Sequence, residues 1–225
     1  MSAIYILTAT GVILFAYLVG SISFAVIFSH LFTGKDVRSS GSGNAGATNM
    51  LRTAGKLPAI LTFLFDAIKG FVACFAGKTV FTYLFEQTAA DCFTPTYGAF
   101  ICCIAVMLGH IYPVFFGFKG GKAVACSVGT FAVCCPIAII LGLTGFVICL
   151  IISKTVSISS LLATVIVISV TVIYNITSSS VDYNILPVII MAVIAGLIVF
   201  IKHKENIKRI LNGTEKKISA KSGNK

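Results

Sequence analysis

Two runs of this chain, Ile137–Ile152 and Ile158–Ile173, contain no Asp, Glu, Lys or Arg. Unbroken apolar stretches of that length leave few folds open. A membrane barrel strand would alternate polar and apolar residues, and these runs do not alternate. Their length approaches the roughly 20 residues a helix needs to cross a bilayer. Composition agrees. Of 225 residues, 57% are hydrophobic and 11% charged, with a mean hydropathy of +1.02; about a quarter of a soluble domain's residues would be charged. The expected fold is all-α, a polytopic helical bundle in lipid.

Seven transmembrane helices account for the chain, near residues 4–29, 57–84, 95–113, 123–135, 137–153, 157–176 and 185–202. The fourth and fifth are short and turn at Cys134-Cys135-Pro136; the alternative is one bent span. Seven spans keep Lys35–Lys56, Lys119–Lys122, Lys154 and the basic tail on one side, with Glu86, Asp91 and Asp182 on the other. By the positive-inside rule the N-terminus is outside and the C-terminus cytoplasmic. No Lys or Arg precedes Lys35, so the first span is not a cleaved leader. Residues 1–218 form one domain, and 219–225 a flexible basic tail. No internal repeat marks an inverted-repeat transporter.

The net charge of +10 does not indicate nucleic acid. Eight of the seventeen basic residues lie between Lys202 and Lys225, where a cytoplasmic tail meets anionic lipid. The eight cysteines form no CxxC pair. Most sit in apolar segments and read as reduced small hydrophobes. No metal and no cofactor are expected.

Three polar clusters interrupt this apolar background. The first is Gly41-Ser42-Gly43-Asn44-Ala45-Gly46, followed by Asn49 and Arg52. It matches GxGxxG, but a membrane helix precedes it where a dinucleotide fold needs a strand. Its chemistry still suits phosphate. Gly41, Gly43 and Gly46 let backbone approach a ligand, Ala47–Thr53 can open a short helix, and Arg52 can grip an anion bidentately. The second cluster runs from Gly109-His110 to Gly120-Gly121-Lys122. Phe116 and Ala123 occupy positions that a P-loop reserves for Gly and Ser/Thr, so it is not an ATP loop. Its aromatics and lysines fit a substrate with an apolar tail and an anionic head. The third is His203-x-x-Asn206-x-x-Arg209, where helical spacing puts His203 and Asn206 on one face. Asp66 and Lys69 lie within the second span, three residues apart. They are read as an ion pair orienting that span, with Lys69 touching substrate as the alternative. Ser157–Ser160 is read as a helix cap.

Taken together, these clusters resemble the bacterial membrane acyl-phosphate:glycerol-3-phosphate acyltransferase family. The carrying residues are Ser42, Gly43, Asn44, Gly46, Asn49 and Arg52; Gly109-His110 with Phe115 through Lys122; His203, Asn206, Arg209, Gly213 and Glu215; and Asp66-x-x-Lys69-Gly70. The resemblance covers nearly the whole chain. It implies a multi-pass enzyme of the bacterial inner membrane with its active site at the cytoplasmic face. The enzyme would move a fatty acyl group from long-chain acyl phosphate to the 1-hydroxyl of glycerol 3-phosphate, giving lysophosphatidic acid and phosphate. By the same resemblance Ser42, Asn44 and Arg52 line the site, Lys122 with Gly120 and Gly121 binds the donor's phosphate, and His203 and Asn206 complete the polar pocket. Ser42, Arg52, Lys122, His203 and Asn206 are the catalytic candidates. Gly41, Gly43, Gly46, Asn49, Gly109, His110, Lys69 and Arg209 are further substrate contacts, while Glu215 is more structural. The chain is expected to act as a monomer among membrane lipids.

The reaction needs two anionic groups held together and a stabilised carbonyl oxygen. The His-x4-Asp dyad of other glycerol-phosphate acyltransferases is missing, because Lys35, Phe115 and Lys208 stand at the relevant positions after His30, His110 and His203. A substrate phosphate taking the proton fits best, with His203 as the rival base. Ser42 as a nucleophile lacks an adjacent base. The alternative function is a transporter or flippase for an anionic lipid or phosphate ester, which predicts ionisable residues deep in several spans.

Overall fold

A computed structural model describes residues 3–178 and 185–218 of the chain. Asp182 and the tail at 219–225 lie outside the described residues. Among the described residues, all regular structure is helical. Helices α1 (Ala3–Gly20) and α2 (Phe24–Thr33) form one long apolar rod broken at Ser21–Ser23. A short helix, α3 (Ala47–Thr53), precedes α4 (Lys56–Thr88) and α5 (Pro95–Ile111). Then come α6 (Val124–Cys134), α7 (Pro136–Ser153), α8 (Val156–Thr177), α9 (Leu186–Lys202) and α10 (Lys204–Leu211).

Helix α5 is the centre of the bundle. Phe100, Cys102, Cys103, Val106 and Met107 are fully buried on it, and α1, α4, α6 and α9 pack around it. Helix α8 pairs with α7 on one side and α9 on the other. The outward faces are apolar: Leu7, Ile60, Ile151 and Ile152 are all more than 60% exposed. An apolar surface this extensive needs lipid as its solvent.

Lipid gives helices no hydrophobic reason to associate, so close backbone packing holds such bundles together. Helices α4 and α6 show it reciprocally. A Cβ on Gly70 would strike the Cys126 carbonyl, and one on Gly129 would strike the Ala67 carbonyl.

All seven expected apolar segments are helical, but they are not equal in length. Five helical segments are long and apolar enough to cross a membrane, and α9 makes a sixth if taken with α10 across a 58° bend. Helix α6 has 11 residues, a rise of about 16 Å against a hydrocarbon core of about 30 Å. It is too short to cross alone. The break at Cys135 does make two helices of residues 124–153, as the Pro136 turn suggests.

The break in the first rod leaves backbone groups unpaired within the bundle. Lys69 on α4 answers one of them: its Nζ donates to the Ile22 carbonyl at 2.7 Å and pairs with Asp66 Oδ1 at 2.8 Å. Both side chains are almost fully buried. The pair thus joins α4 to the rod.

Candidate active site

The three polar clusters converge at one end of the bundle. Each is held there by contacts of its own. In the first, Asn49 is the organiser. It is buried, its Oδ1 accepts from the Ser42 N–H at 2.8 Å, and its Nδ2 donates to the carbonyls of Val37 and Ser40 at 2.9 and 3.0 Å. The turn that wraps it needs left-handed backbone at Gly41 and Gly43, and a Cβ at Gly41 would strike Asn49 Oδ1. Below the loop, Met50 packs with Ala25, Val26, Val37, Ala45 and Ala59. Arg38 ties the first loop to the second. It forks onto Asp36 and donates to the carbonyls of Phe116 at 2.6 Å and Lys119 at 3.2 Å.

The second loop folds back on α5. Gly120 and Gly121 donate backbone N–H groups to Ile111 and His110. That places Gly121 so close to the His110 ring and the Ala45 carbonyl that no side chain fits. Lys122 then points into the gap between the loops and α10.

The third cluster is a hydrogen-bonded chain. Arg209 Nε donates to Glu215 Oε2 at 2.7 Å. Asn206 Nδ2 donates to Glu215 Oε1 and to Ser157 Oγ, both at 2.7 Å. Ser157 Oγ donates to Glu215 Oε1 at 2.6 Å. Lys122 Nζ donates to Asn206 Oδ1. Ser157 is therefore not a helix cap as its sequence position suggests; Thr155 occupies the N-cap of α8, and Ser157 braces Glu215.

A cavity of about 620 Å³ lies between these clusters. Its polar end is lined by Ser42, Asn44, Arg52, Lys122, His203 and Asn206, with Gly43, Gly46, Asn49, His110, Gly120 and Arg209 around them. It continues between α6, α7, α8 and α9 as an apolar channel along Phe131, Ile139, Leu143, Val167 and Ile168. Among the described residues, the side chains of Ser42, Asn44 and Arg52 have no hydrogen-bond partner, so their groups face the cavity uncommitted.

Electrostatics favour an anion at the polar end. Arg52, Lys122, Lys202, Lys204 and Arg209 outnumber the carboxylates of Asp66, Glu205 and Glu215 in the lining. Burial pulls Lys122 down to about 8, with Glu215 opposing and Arg209, Arg52 and Lys202 adding to the fall. An anion drawn in would restore that charge. Burial and the neighbouring Lys122 push His203 down to about 4. His203 Nδ1 lies 2.8 Å from the Val199 carbonyl. A carbonyl only accepts, so Nδ1 carries the proton and neutral Nε2 keeps its lone pair. Burial raises Glu215, but hydrogen bonds from Ser157, Arg209 and Asn206 outweigh it and hold the carboxyl below the usual glutamate range.

Four expected substrate contacts do not line the cavity. Lys69 is committed to Ile22 and Asp66. Gly109 packs on the Tyr17 carbonyl of α1, Gly41 lies behind the loop on Asn49, and Gly121 backs onto His110. Their contribution is positioning. Thr48, Ser127, Ser157 and Asp66 line the cavity without having been singled out as contacts. Thr48 lies in the first turn of α3, just past the glycine loop. Ser127 sits in an apolar segment, where a lone serine gives no distinguishing signal, and Ser157 reads from sequence as part of a helix cap.

Known proteins are similar to this chain over nearly its whole length. The family model described as glycerol-3-phosphate acyltransferase matches residues 10–213. Glycerol-3-phosphate acyltransferase 2 of Bacillus anthracis is 36% identical, over 92% of this chain and 97% of that protein. A glycerol-3-phosphate acyltransferase of Francisella tularensis subsp. holarctica is 40% identical, over 94% of each. Among solved structures, crystal structures of PlsY, an integral membrane glycerol 3-phosphate acyltransferase, are similar. Its glycerol 3-phosphate form superposes with a TM-score of 0.77 at 32% identity, covering 94% of this chain and 96% of that one. Its lysophosphatidic acid form gives 0.74 at 31%, covering 94% and 95%.

Proposed function

The chain belongs to the glycerol-3-phosphate acyltransferase family, and on that premise we propose that its acyl donor is a long-chain acyl phosphate. In this reading the hydroxyl oxygen at carbon 1 of glycerol 3-phosphate attacks the acyl carbonyl carbon. An ester C–O bond forms, the C–O bond to the donor's phosphate breaks, and the hydroxyl proton leaves on a phosphate oxygen. The products are lysophosphatidic acid and hydrogen phosphate.

One observation carries the proposal: the cationic polar end and the apolar channel are two parts of a single cavity. A phosphate at Lys122 or Arg52 can stay joined to a chain lying between α6 and α9. Arg52 and Lys122 act as phosphate ligands, and Ser42 and Asn44 supply hydrogen bonds from the first loop. Asn206 aims Lys122, while Glu215 and Arg209 hold Asn206. His203, held at about 4, is a weak base. A phosphate monoester, with a second pKa near 6, is better matched to accept the proton. Most of the rate then comes from positioning and charge.

The same reading places the site on the cytoplasmic face of a bacterial inner membrane, with the N-terminus outside and a monomer as the working unit. A transporter finds less support. Lys69 is committed to the Ile22 carbonyl and to Asp66, whereas a transporter predicts ionisable residues deep in several spans.

The experiment is acyl transfer by purified protein in lipid, using palmitoyl phosphate and radiolabelled glycerol 3-phosphate, with an acyl thioester in parallel. Label in lysophosphatidic acid only with acyl phosphate supports the donor. Transfer from the thioester alone overturns it.

A further inference from the structure

Three cysteines that are far apart in sequence meet in the bundle. Cys74 on α4, Cys103 on α5 and Cys134 on α6 bring their Sγ atoms within 4.8 Å of one another. Cys74 and Cys103 are fully buried, and Cys103 Sγ lies 3.7 Å from the thioether of buried Met107. Sequence position gives no hint of this, since each cysteine alone reads as a small hydrophobe.

We propose that Cys74, Cys103 and Cys134 form a binding site for a soft monovalent cation, Cu(I), with the Met107 thioether beside it. Softness selects the ion class, because thiolate and thioether ligands favour Cu(I) over harder ions. Geometry fits as well. Three sulfurs each about 2.3 Å from one ion stand about 4 Å apart, so closing the set from 4.8 Å takes less than an ångström. Charge narrows the choice further. Within an apolar core, each positive charge brought in requires one thiol proton to leave as H⁺ if the site is to stay neutral. Cu(I) needs one such loss, forming one Cu–thiolate bond with two thiols completing a trigonal set. Zn(II) would need two, and a tetrahedral fourth ligand stronger than a thioether.

The helices are also fixed around the thiols. Cys74 lies between Gly70, which meets α6 at Cys126, and Gly77, which meets α5 at Gly98. These backbone contacts bracket the site above and below, so the sulfurs are preorganised rather than gathered by the metal. None of the four sulfur residues lines the catalytic cavity, and the inference does not depend on the proposed donor.

The test is anaerobic titration of the full-length protein in detergent with Cu(I) against a chromophoric chelator, followed by X-ray absorption of the loaded protein. One Cu(I) per chain with three sulfurs at about 2.3 Å is expected. Cys74→Ser and Cys103→Ser should each lower Cu(I) affinity at least 100-fold while keeping acyl-transfer activity, which reports folding. The double variant Cys92→Ala/Cys149→Ala, at thiols outside the cluster, should bind as the wild type does. No retained copper, two-sulfur coordination, unchanged binding in Cys103→Ser, or preference for Zn(II) would each overturn the proposal. The absorption experiment needs no variant, so it decides the matter even where a serine substitution misfolds.

Discussion

Lys122 makes the sharpest prediction because its charge is held close to the working pH. Burial brings its ammonium to about 8, so it is about 90% charged at pH 7 and about 10% charged at pH 9. The sign follows directly: protonated Lys122 binds phosphate, and raising pH through 8 removes the cation. Phosphate monoesters complete their second ionisation near pH 6, so substrate titration does not contribute on this limb. The kcat/KM profile reports free-enzyme groups, and should bend down at about pH 8 with a slope approaching one decade per unit. A charge-assisted hydrogen bond contributes about 1.5–3 kcal/mol, which is one to two decades of rate. The wild-type curve should therefore level off by about pH 10, at the rate of Lys122→Met, which has no limb of its own. Lys122→Arg should start lower, because a guanidinium does not reproduce a point charge, but stay flat over the same range. The assay is radiolabelled glycerol 3-phosphate incorporation between pH 6.5 and 10, corrected for spontaneous hydrolysis of the donor. A wild-type profile flat to pH 9.5, or a limb near 8 that persists in Lys122→Met, would refute the reasoning.

Four further outcomes are expected. Asn49→Ala loses three hydrogen bonds to loop backbone, about 3 kcal/mol in all; kcat/KM should fall about 100-fold, and hydrogen exchange should accelerate over residues 37–50 but not in α5. Ser42→Ala should cost roughly tenfold, the value of one neutral hydrogen bond, whereas complete loss would point to a covalent serine intermediate. His203→Gln should leave the acid limb of kcat/KM near pH 6, where the substrate phosphate titrates; a wild-type limb near 4 that vanishes in the variant would instead make His203 the base. Gly129→Val drives a side chain into the Ala67 carbonyl, and the overpacking, about 1–3 kcal/mol, should appear as a lower unfolding temperature in detergent.

Unbroken apolar runs made the helices legible because a helix satisfies its own backbone in lipid. What it could not supply is depth. The segment at 123–135 has the composition of a span, yet α6 has only 11 helical residues, because Ala123 takes left-handed backbone at one end and Pro136 follows at the other. The site was legible where polar residues are costly, and so conspicuous, in an apolar chain. Ser42, Arg52, Lys122, His203 and Asn206 stand out for that reason, and all line one cavity. Division of labour among them was not legible. Asn49 and Ser42 belong to one cluster, yet the first uses its amide on backbone while the second leaves its hydroxyl free. That difference depends on which way a turn folds, and Gly41 and Gly43 set the turn. Lys69 and Lys122 carry the same charge, but Lys69 faces a broken helix and Lys122 a cavity. A cation in a membrane protein must be satisfied by something. Where the protein's own backbone does so, as at Ile22, it builds the fold; where only an amide oxygen does, as at Asn206, the charge is left over for a substrate.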